Sequence, residues 1–361
     1  MNIKSLNRKL NKKFAGRVTA RLSDGCIVLT GELDDWNDVV DAGMTAATPH
    51  SSTHVVNDIV FTGAAEEKMH MPAIDDKALD GEKPDVLVIG GGISGCSVAR
   101  ELSRYKLSVL LIDKEADLAL GASGRNDGEV HPGVDLSKGS LKHKYIRRAN
   151  HMYEDLCREL DVPFKRTGQY ACFTHKSWLP FVSLYAKWRR DHDGIEDTCI
   201  VMGDEIRKKE PKISADVAFA LSNPSSGSVS PYNLVIAYAE NAVQNGARVS
   251  LNTAVTGMDV SGGEIKAVYT NRGTIYPREV INCAGVYSDV VAQMAQDRFF
   301  SIHPRRGTNS ILDKKTGASF HGIASIVMSQ SPVQTHTKGG GILHTMHDNL
   351  LIGPDAVETP E

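Results

Sequence analysis

The sequence predicts a mixed α/β and α+β protein, in which a parallel βαβ nucleotide-type domain is interleaved with an antiparallel-sheet domain and preceded by a small αββαβ module. Three observations predict it. Residues 85–115, DVLVIGGGISGCSVARELSRYKLSVLLIDKE, read as an apolar strand, a glycine turn, a helix, a second apolar strand and an acidic end. A second glycine-rich loop follows at 121–133, and the late run INCAG at 281–285 reads as a strand returning to the same sheet. The turn also starts late, at residue 90, so something independent precedes it.

That preceding segment, residues 1–62, alternates in its own right. Ile3 to Phe14 has helical period, Val18 to Leu22 and Cys26 to Leu29 are strands about a Ser23-Asp24-Gly25 turn, Asp35 to Ala47 is a helix, and His54 to Phe61 is a strand. The pattern GRVTARLSDGCIVLTGELDDWNDVVDAG…THVVNDIVF resembles a BON-like domain, a resemblance that implies membrane surfaces or larger assemblies as partners. Seven basic residues (Lys4, Arg8, Lys9, Lys12, Lys13, Arg17, Arg21) precede the first acid, Asp24. A solvated helix face accounts for them, and peripheral contact with an anionic membrane or partner is the alternative. Residues 63–84 are charged and without period, which predicts a linker.

The motif at 85–115 carries the chemistry. Val86 to Ile89 is apolar throughout, as a parallel strand buried on both faces must be. Gly90 permits the tight turn, Gly92 lets backbone approach a pyrophosphate, and Gly95 lets helix and strand pack closely. The phosphates then meet the helix N-terminus, whose free N–H groups and dipole favour anions. Asp113 closes the second strand 18 residues after Gly95, where a carboxylate can accept hydrogen bonds from ribose hydroxyls.

Beyond this motif, a helix is predicted at about 141–160, short strands and one helix over 164–231, a helix at 232–246, then a small hairpin layer and the return strand at 280–283. The expected division is 85–165 and 231–300 for the nucleotide domain and 166–230 and 301–361 for the substrate domain. Net charge is −3, so nothing argues for nucleic acid. No apolar run reaches the roughly 18–20 residues of a membrane span, and no leader pattern opens the chain, which predicts a cytoplasmic protein. The six cysteines lack C-x-x-C spacing and read as reduced thiols. His344 and His347 are spaced H-x-x-H without a carboxylate at ligand spacing, so no metal is expected.

Four segments together resemble the FAD-dependent oxidoreductases of the D-amino-acid oxidase type: the motif at 85–115, GASGRNDGEVHPG, SPYNLVIAYAENAVQNGARVSLNTAV and INCAGVYSD. Within that group the runs GSLKHKYIRRANHMYEDLCRELDVPFKRTGQYACF, FSIHPRRG and HDNLLIGP are most similar to FAD-dependent glycerol-3-phosphate dehydrogenases, with L-2-hydroxyglutarate dehydrogenases next through the shared N-x-G-x-x-H-x-G pattern. The resemblance implies a Rossmann-like FAD-binding domain. Gly90, Gly92 and Gly95 would line the pyrophosphate, Asp113 and Lys114 frame the ribose, and Ser123, Asn126 and Gly128 lie under the pyrophosphate and flavin ring. Val255 would contact the adenine through its backbone, and Ala284 and Gly285 would pass close to the flavin. A nicotinamide enzyme would need the first glycine turn but neither the second glycine loop nor the return strand.

His131 is the expected catalytic base. Alcohol oxidation removes a hydride from carbon and a proton from oxygen, and imidazole suits the second task; a structural histidine bonding its own loop is the alternative. Arg305 and Arg306 can bind a phosphate or carboxylate and stabilise negative charge near the flavin, or can be a solvated surface pair. Tyr232 can donate to substrate or simply pack. The expected substrate is sn-glycerol 3-phosphate, with L-2-hydroxyglutarate or another 2-hydroxy acid as the alternative and a quinone, a redox protein or oxygen as electron acceptor. Three departures from the family's pattern stand out, and the first weakens the substrate assignment. Thr308 and Asn309 follow Gly307 where the family carries an acid and a tyrosine, Pro132 and Val134 replace a small residue and an aromatic, and the chain stops at Glu361 before the family's last glycine-rich segment. The expectation is therefore a fragment, a site completed by a second chain, or a chain that no longer binds FAD well, with a partner-dependent, non-catalytic assembly scaffold as the alternative function of another class.

Overall fold

In the computed structural model, which describes residues 2–47, 54–64, 69–195, 197–326 and 341–360, the chain opens with the predicted αββαβ order. The elements are α1 (Ile3–Lys13), β1 (Val18–Ser23), β2 (Cys26–Leu33), α2 (Trp36–Ala46) and β3 (Val55–Phe61). Asn2 caps α1 by accepting from the Lys4 N–H at 2.9 Å, and Asp35 caps α2 by accepting from the Asn37 N–H at 2.9 Å. Leu6 and Leu10 fall one turn apart on α1 and are fully buried against Leu29, Leu33, Val39 and Ala42. β1 and β2 pair antiparallel, and β3 joins the other side of β2 in parallel. β2 runs four residues beyond its expected end because its polar stretch Thr30–Glu32 still pairs with Asp58–Val60.

This module belongs to the first of two compact units, residues 1–122, 238–306 and 358–361. The centre of the unit is a parallel sheet in which β4 (Val86–Ile89) and β5 (Val109–Ile112) lie between flanking strands Glu279–Asn282 and Arg248–Ser250. All eight residues of β4 and β5 are buried, which is why they read as continuous apolar runs. The return strand therefore pairs with β4 in the register Glu279↔Val86 to Asn282↔Ile89. An antiparallel layer, Val255–Ser261, Glu264–Thr270 and Gly273–Ile275, covers the sheet through a core of Leu87, Ile89, Leu110, Val268 and Ile275.

Half of the expected linker is not one. Residues 65–68 lie outside the described residues, but 76–82 are strapped along the antiparallel layer. The Leu79 N–H donates to the Arg272 carbonyl at 2.8 Å, Gly81 to Thr274 at 2.8 Å, and Arg272 clasps the Asp76 carboxylate at 3.0 and 3.1 Å. Leu79 is buried in the core of this unit. The composition gave no periodic sign of this because the strap uses backbone bonds rather than a hydrophobic stripe.

The second unit comprises residues 123–237 and 307–357. Its seven-stranded sheet runs in the order Ser310–Ile311, Leu350–Gly353, Gly341–His344, Ile323–Ile326, Gln169–Phe173, Phe219–Asn223, Cys199–Met202. It is antiparallel apart from one parallel pairing, Ile323–Ile326 on Gln169–Phe173. The stretch 164–231 holds two α-helices, Leu179–Asp193 and the short Gly203–Lys209, where one was expected. The chain passes between units at 122/123 rather than at 165/166. The reason is local: Glu129–Val130 pairs with Gly227–Val229, committing the second glycine loop and the helix Leu141–Glu159 to the second unit. Residues 327–340, within the last expected segment, lie outside the described residues.

Candidate functional site

The glycine turn of the first unit is built by exclusion. α3 (Ile93–Leu102) follows β4, and Gly95 faces back onto it so tightly that a Cβ there would stand 1.8 Å from the Gly90 carbonyl oxygen. Gly90 itself has φ +113°, and a Cβ would meet the Cys283 carbonyl at 2.2 Å. Gly92 caps α3 without a side-chain hydrogen bond, and the dipole of that helix end favours an anion.

Asp113 stands at the end of β5. Its Oδ2 accepts from the Gly91 N–H at 2.5 Å and its Oδ1 from the Glu115 N–H at 2.8 Å, so it braces the turn while each oxygen keeps a further lone pair. The Lys114 ammonium pairs with Glu115 and lies 5.2 Å from the Tyr287 ring centroid. Ala284 and Gly285 follow the return strand; the Ala284 N–H donates to Asn282 Oδ1 at 3.2 Å, and Gly285 has φ +61°. Val255 opens an edge strand of the antiparallel layer and is itself buried. A helix N-terminus behind a glycine turn, a cradle that a Cβ would fill and a carboxylate at the second strand's end fit the nucleotide half of a dinucleotide. Two thiols lie under this turn. Burial, with Asp113 and Cys283 nearby, pushes Cys96 up to about 12, and burial also raises Cys283.

The second unit carries the other glycine loop. Asn126 shapes it, donating to the Ser123 carbonyl at 2.8 Å and accepting from the Gly128 N–H at 2.9 Å. Gly128 has φ +73°, and a Cβ there would lie 2.3 Å from the Val229 carbonyl. His131 follows with its side chain 41% exposed, so the imidazole is accessible. The backbone below it is clamped: Asn150, almost wholly buried, donates to the His131 and Ser225 carbonyls at 3.0 Å each, and Arg166 bonds Asn150 in turn at 2.7 and 3.1 Å. Beside the ring, Glu129 Oε1 lies 3.3 Å from His131 Nδ1, and burial raises the Glu129 carboxyl while the nearby imidazole opposes that shift.

Tyr232 begins the helix Pro231–Gln244 and is paired with a residue the sequence reading set aside. His347 Nε2 is 3.0 Å from both the Tyr232 hydroxyl and the Ser230 hydroxyl, and the Tyr232 and His347 rings stack at 5.6 Å. His344 is turned elsewhere, buried beside His321, with its ring held below the ordinary histidine range mainly by burial. Arg305 Nε is 3.3 Å from the buried Glu358 carboxylate, whereas Arg306 is exposed and makes no ion pair among the described residues. Arg306 is thus the freer of the two for an anion. Glu129 was detectable in principle, because residues two apart in extended chain share a face. Asn150 and His347 were not, since 19 and 115 residues separate them from their partners.

Residues 85–361 match the family profile described as FAD dependent oxidoreductase. A glycerol 3-phosphate dehydrogenase of Caloramator mitchellensis is 37% identical over 273 residues, covering 75% of this chain and 55% of its own length. The chain thus spans about half of that relative. An L-2-hydroxyglutarate dehydrogenase of Indibacter alkaliphilus is 33% identical, covering 62% of this chain and 56% of the relative. Among solved structures, the L-alpha-glycerophosphate oxidase of Mycoplasma pneumoniae with FAD bound superposes with a TM-score of 0.68 at 25% identity, over 78% of this chain and 73% of that one.

Proposed function

The chain belongs to the FAD dependent oxidoreductase family, and from that premise we propose that it oxidises sn-glycerol 3-phosphate to dihydroxyacetone phosphate. The observation that carries the reading is an accessible imidazole, His131, in the second glycine loop, backed by a buried carboxylate. The 37% identity to a glycerol 3-phosphate dehydrogenase supports the choice of substrate. FAD, when bound, supplies the acceptor for the hydride leaving the C2 carbon.

His131 takes the C2 hydroxyl proton, and a general base at that position contributes about 10²–10⁴ in rate. Arg306 binds the phosphate, assisted by Arg305, and Tyr232 donates to the substrate. Gly90, Gly92 and Gly95 with the α3 N-terminus hold the pyrophosphate, and Asp113 with Lys114 holds the ribose. Ser123, Asn126, Gly128, Val255, Ala284 and Gly285 complete the cofactor contacts. A small 2-hydroxy acid such as L-2-hydroxyglutarate offers the same hydroxyl and an anion, and the 33% identical relative favours it as the second reading. Electrons pass on to a quinone or redox protein. The seven basic residues of the BON-like module are exposed, and among the described residues two are ion-paired, Lys13 with Asp41 and Arg17 with Asp34; the set suits an anionic partner surface.

Anaerobic bleaching of the FAD-loaded chain tests the substrate. Bleaching by glycerol 3-phosphate and not by L-2-hydroxyglutarate is expected; the reverse pattern replaces the first reading with the second, and bleaching by neither removes both.

A further inference from the structure

The second glycine loop holds a carboxylate that proton abstraction by His131 does not itself require. Glu129 is two residues before His131 in extended backbone, so the two side chains leave the chain on the same face. Its side chain is only 9% exposed against 41% for the imidazole, and its Oε1 faces the ring at Nδ1, 3.3 Å away. The same oxygen receives the hydroxyl of Ser226, a fully buried residue, at 3.4 Å; that hydroxyl also reaches the Val130 carbonyl at 3.4 Å. A carboxylate at that depth is costly unless donors satisfy it, and among the described residues the donors within reach are this hydroxyl and the imidazole.

We propose that Glu129 is the positioning residue of His131: it accepts the Nδ1 proton, holds the neutral ring in the Nδ1–H tautomer, and thereby makes Nε2 the basic nitrogen. Once Nε2 has taken the substrate proton, the carboxylate stabilises the imidazolium without itself being protonated. The Asn150 clamp on the His131 carbonyl fixes the backbone while Glu129 fixes the ring, so both ends of the residue are held. The catalytic consequence rests on His131 being the base; the tautomer does not.

The experiment separates the two. In protein labelled with 15N-histidine, the His131 signals are identified by their loss in His131→Gln, and the unsubstituted chain is expected to show a protonated Nδ1 and an unprotonated Nε2. Glu129→Leu should move the ring to the Nε2–H form. Glu129→Gln should retain the Nδ1–H form, because the Ser226 hydroxyl holds the amide oxygen toward the ring. An Nε2–H ring in the unsubstituted chain, or no change in Glu129→Leu, overturns the proposal. With FAD and substrate, Glu129→Leu should lower kcat about 10²-fold at nearly unchanged KM, with most of the loss recovered in Glu129→Gln. Where His131→Gln loses activity, an unchanged kcat in Glu129→Leu also overturns it; an unchanged kcat in His131→Gln instead removes the base assignment and leaves the tautomer result standing.

Discussion

Gly95 leaves no space for even one methyl group, since the obstacle 1.8 Å away is backbone rather than a side chain that could swing aside. Gly95→Ala is therefore expected to cost about 1–3 kcal/mol in urea unfolding and to weaken FAD retention; an alanine variant of parental stability would mean that α3 shifts freely against β4. One residue further in, Cys96 has its thiol pushed up to about 12. At pH 8 its thiolate is then about 10⁻⁴ of the population, and Cys96 should stay unalkylated in the native chain when iodoacetamide-treated peptides are weighed. Such residues were legible because their constraint is local: glycine spacing, strand run and acid all sit within 31 residues. Glu129 was passed over although the E-x-H spacing was visible, because spacing gives a shared face but not the burial that makes a carboxylate matter.

Two elements gain roles that their sequences do not announce. The strap at 76–82 sends Leu79 into a core formed by Leu87, Leu110, Val268 and Ile275, so Leu79→Ala is expected to destabilise the chain by about 2–5 kcal/mol, read in chemical denaturation. A true linker residue would cost nothing measurable. The other is the segment Arg298–His303, laid along β3. The Asn57 N–H donates to the Ser301 hydroxyl at 2.8 Å, and Arg298 reaches Asp58 at 2.7 Å. The Asn57 amide nitrogen donates to the Val39 carbonyl and faces His303 Nε2, both at 2.9 Å, so Nε2 must accept and the ring must be neutral. Burial likewise holds His303 below the ordinary histidine range. Above about pH 6.5 the ring is neutral in folded and unfolded chains alike; below it the unfolded chain binds the proton first, and stability is lost as pH falls. The Tm advantage of the parent over His303→Gln should shrink between pH 7.5 and 5.5, and a constant gap would show that the ring accepts a proton in place. Helix and strand identities in this module were readable from period alone, but its docking joins residues about 240 apart, and no local pattern encodes that.

At the scale of the molecule, a ligand that binds only the folded chain stabilises it by mass action. FAD at a hundredfold excess over its Kd should add about 2.7 kcal/mol and raise Tm; no rise at saturating FAD would mean that this chain does not retain the cofactor. The parallel sheet was legible because β4 and β5 are continuous apolar runs and its return strand because INCAG closes a short strand on a glycine, whereas a division at 122/123 was not, because pairing of Glu129–Val130 with a strand about a hundred residues later decides it. That interleaving has a consequence for synthesis on the ribosome. The central pair β4 and β5 is made early, but the strands that flank it, 248–250 and 279–282, emerge more than 130 residues later. Until then the nascent sheet presents two open edges of buried-type residues, a state that invites association with other chains. The opening module, whose core of Leu6, Leu10, Leu29 and Val39 is drawn from its own residues, can form that core while the sheet waits, and a chaperone's period of contact with the nascent polypeptide should begin after β5 and end once Asn282 has left the tunnel.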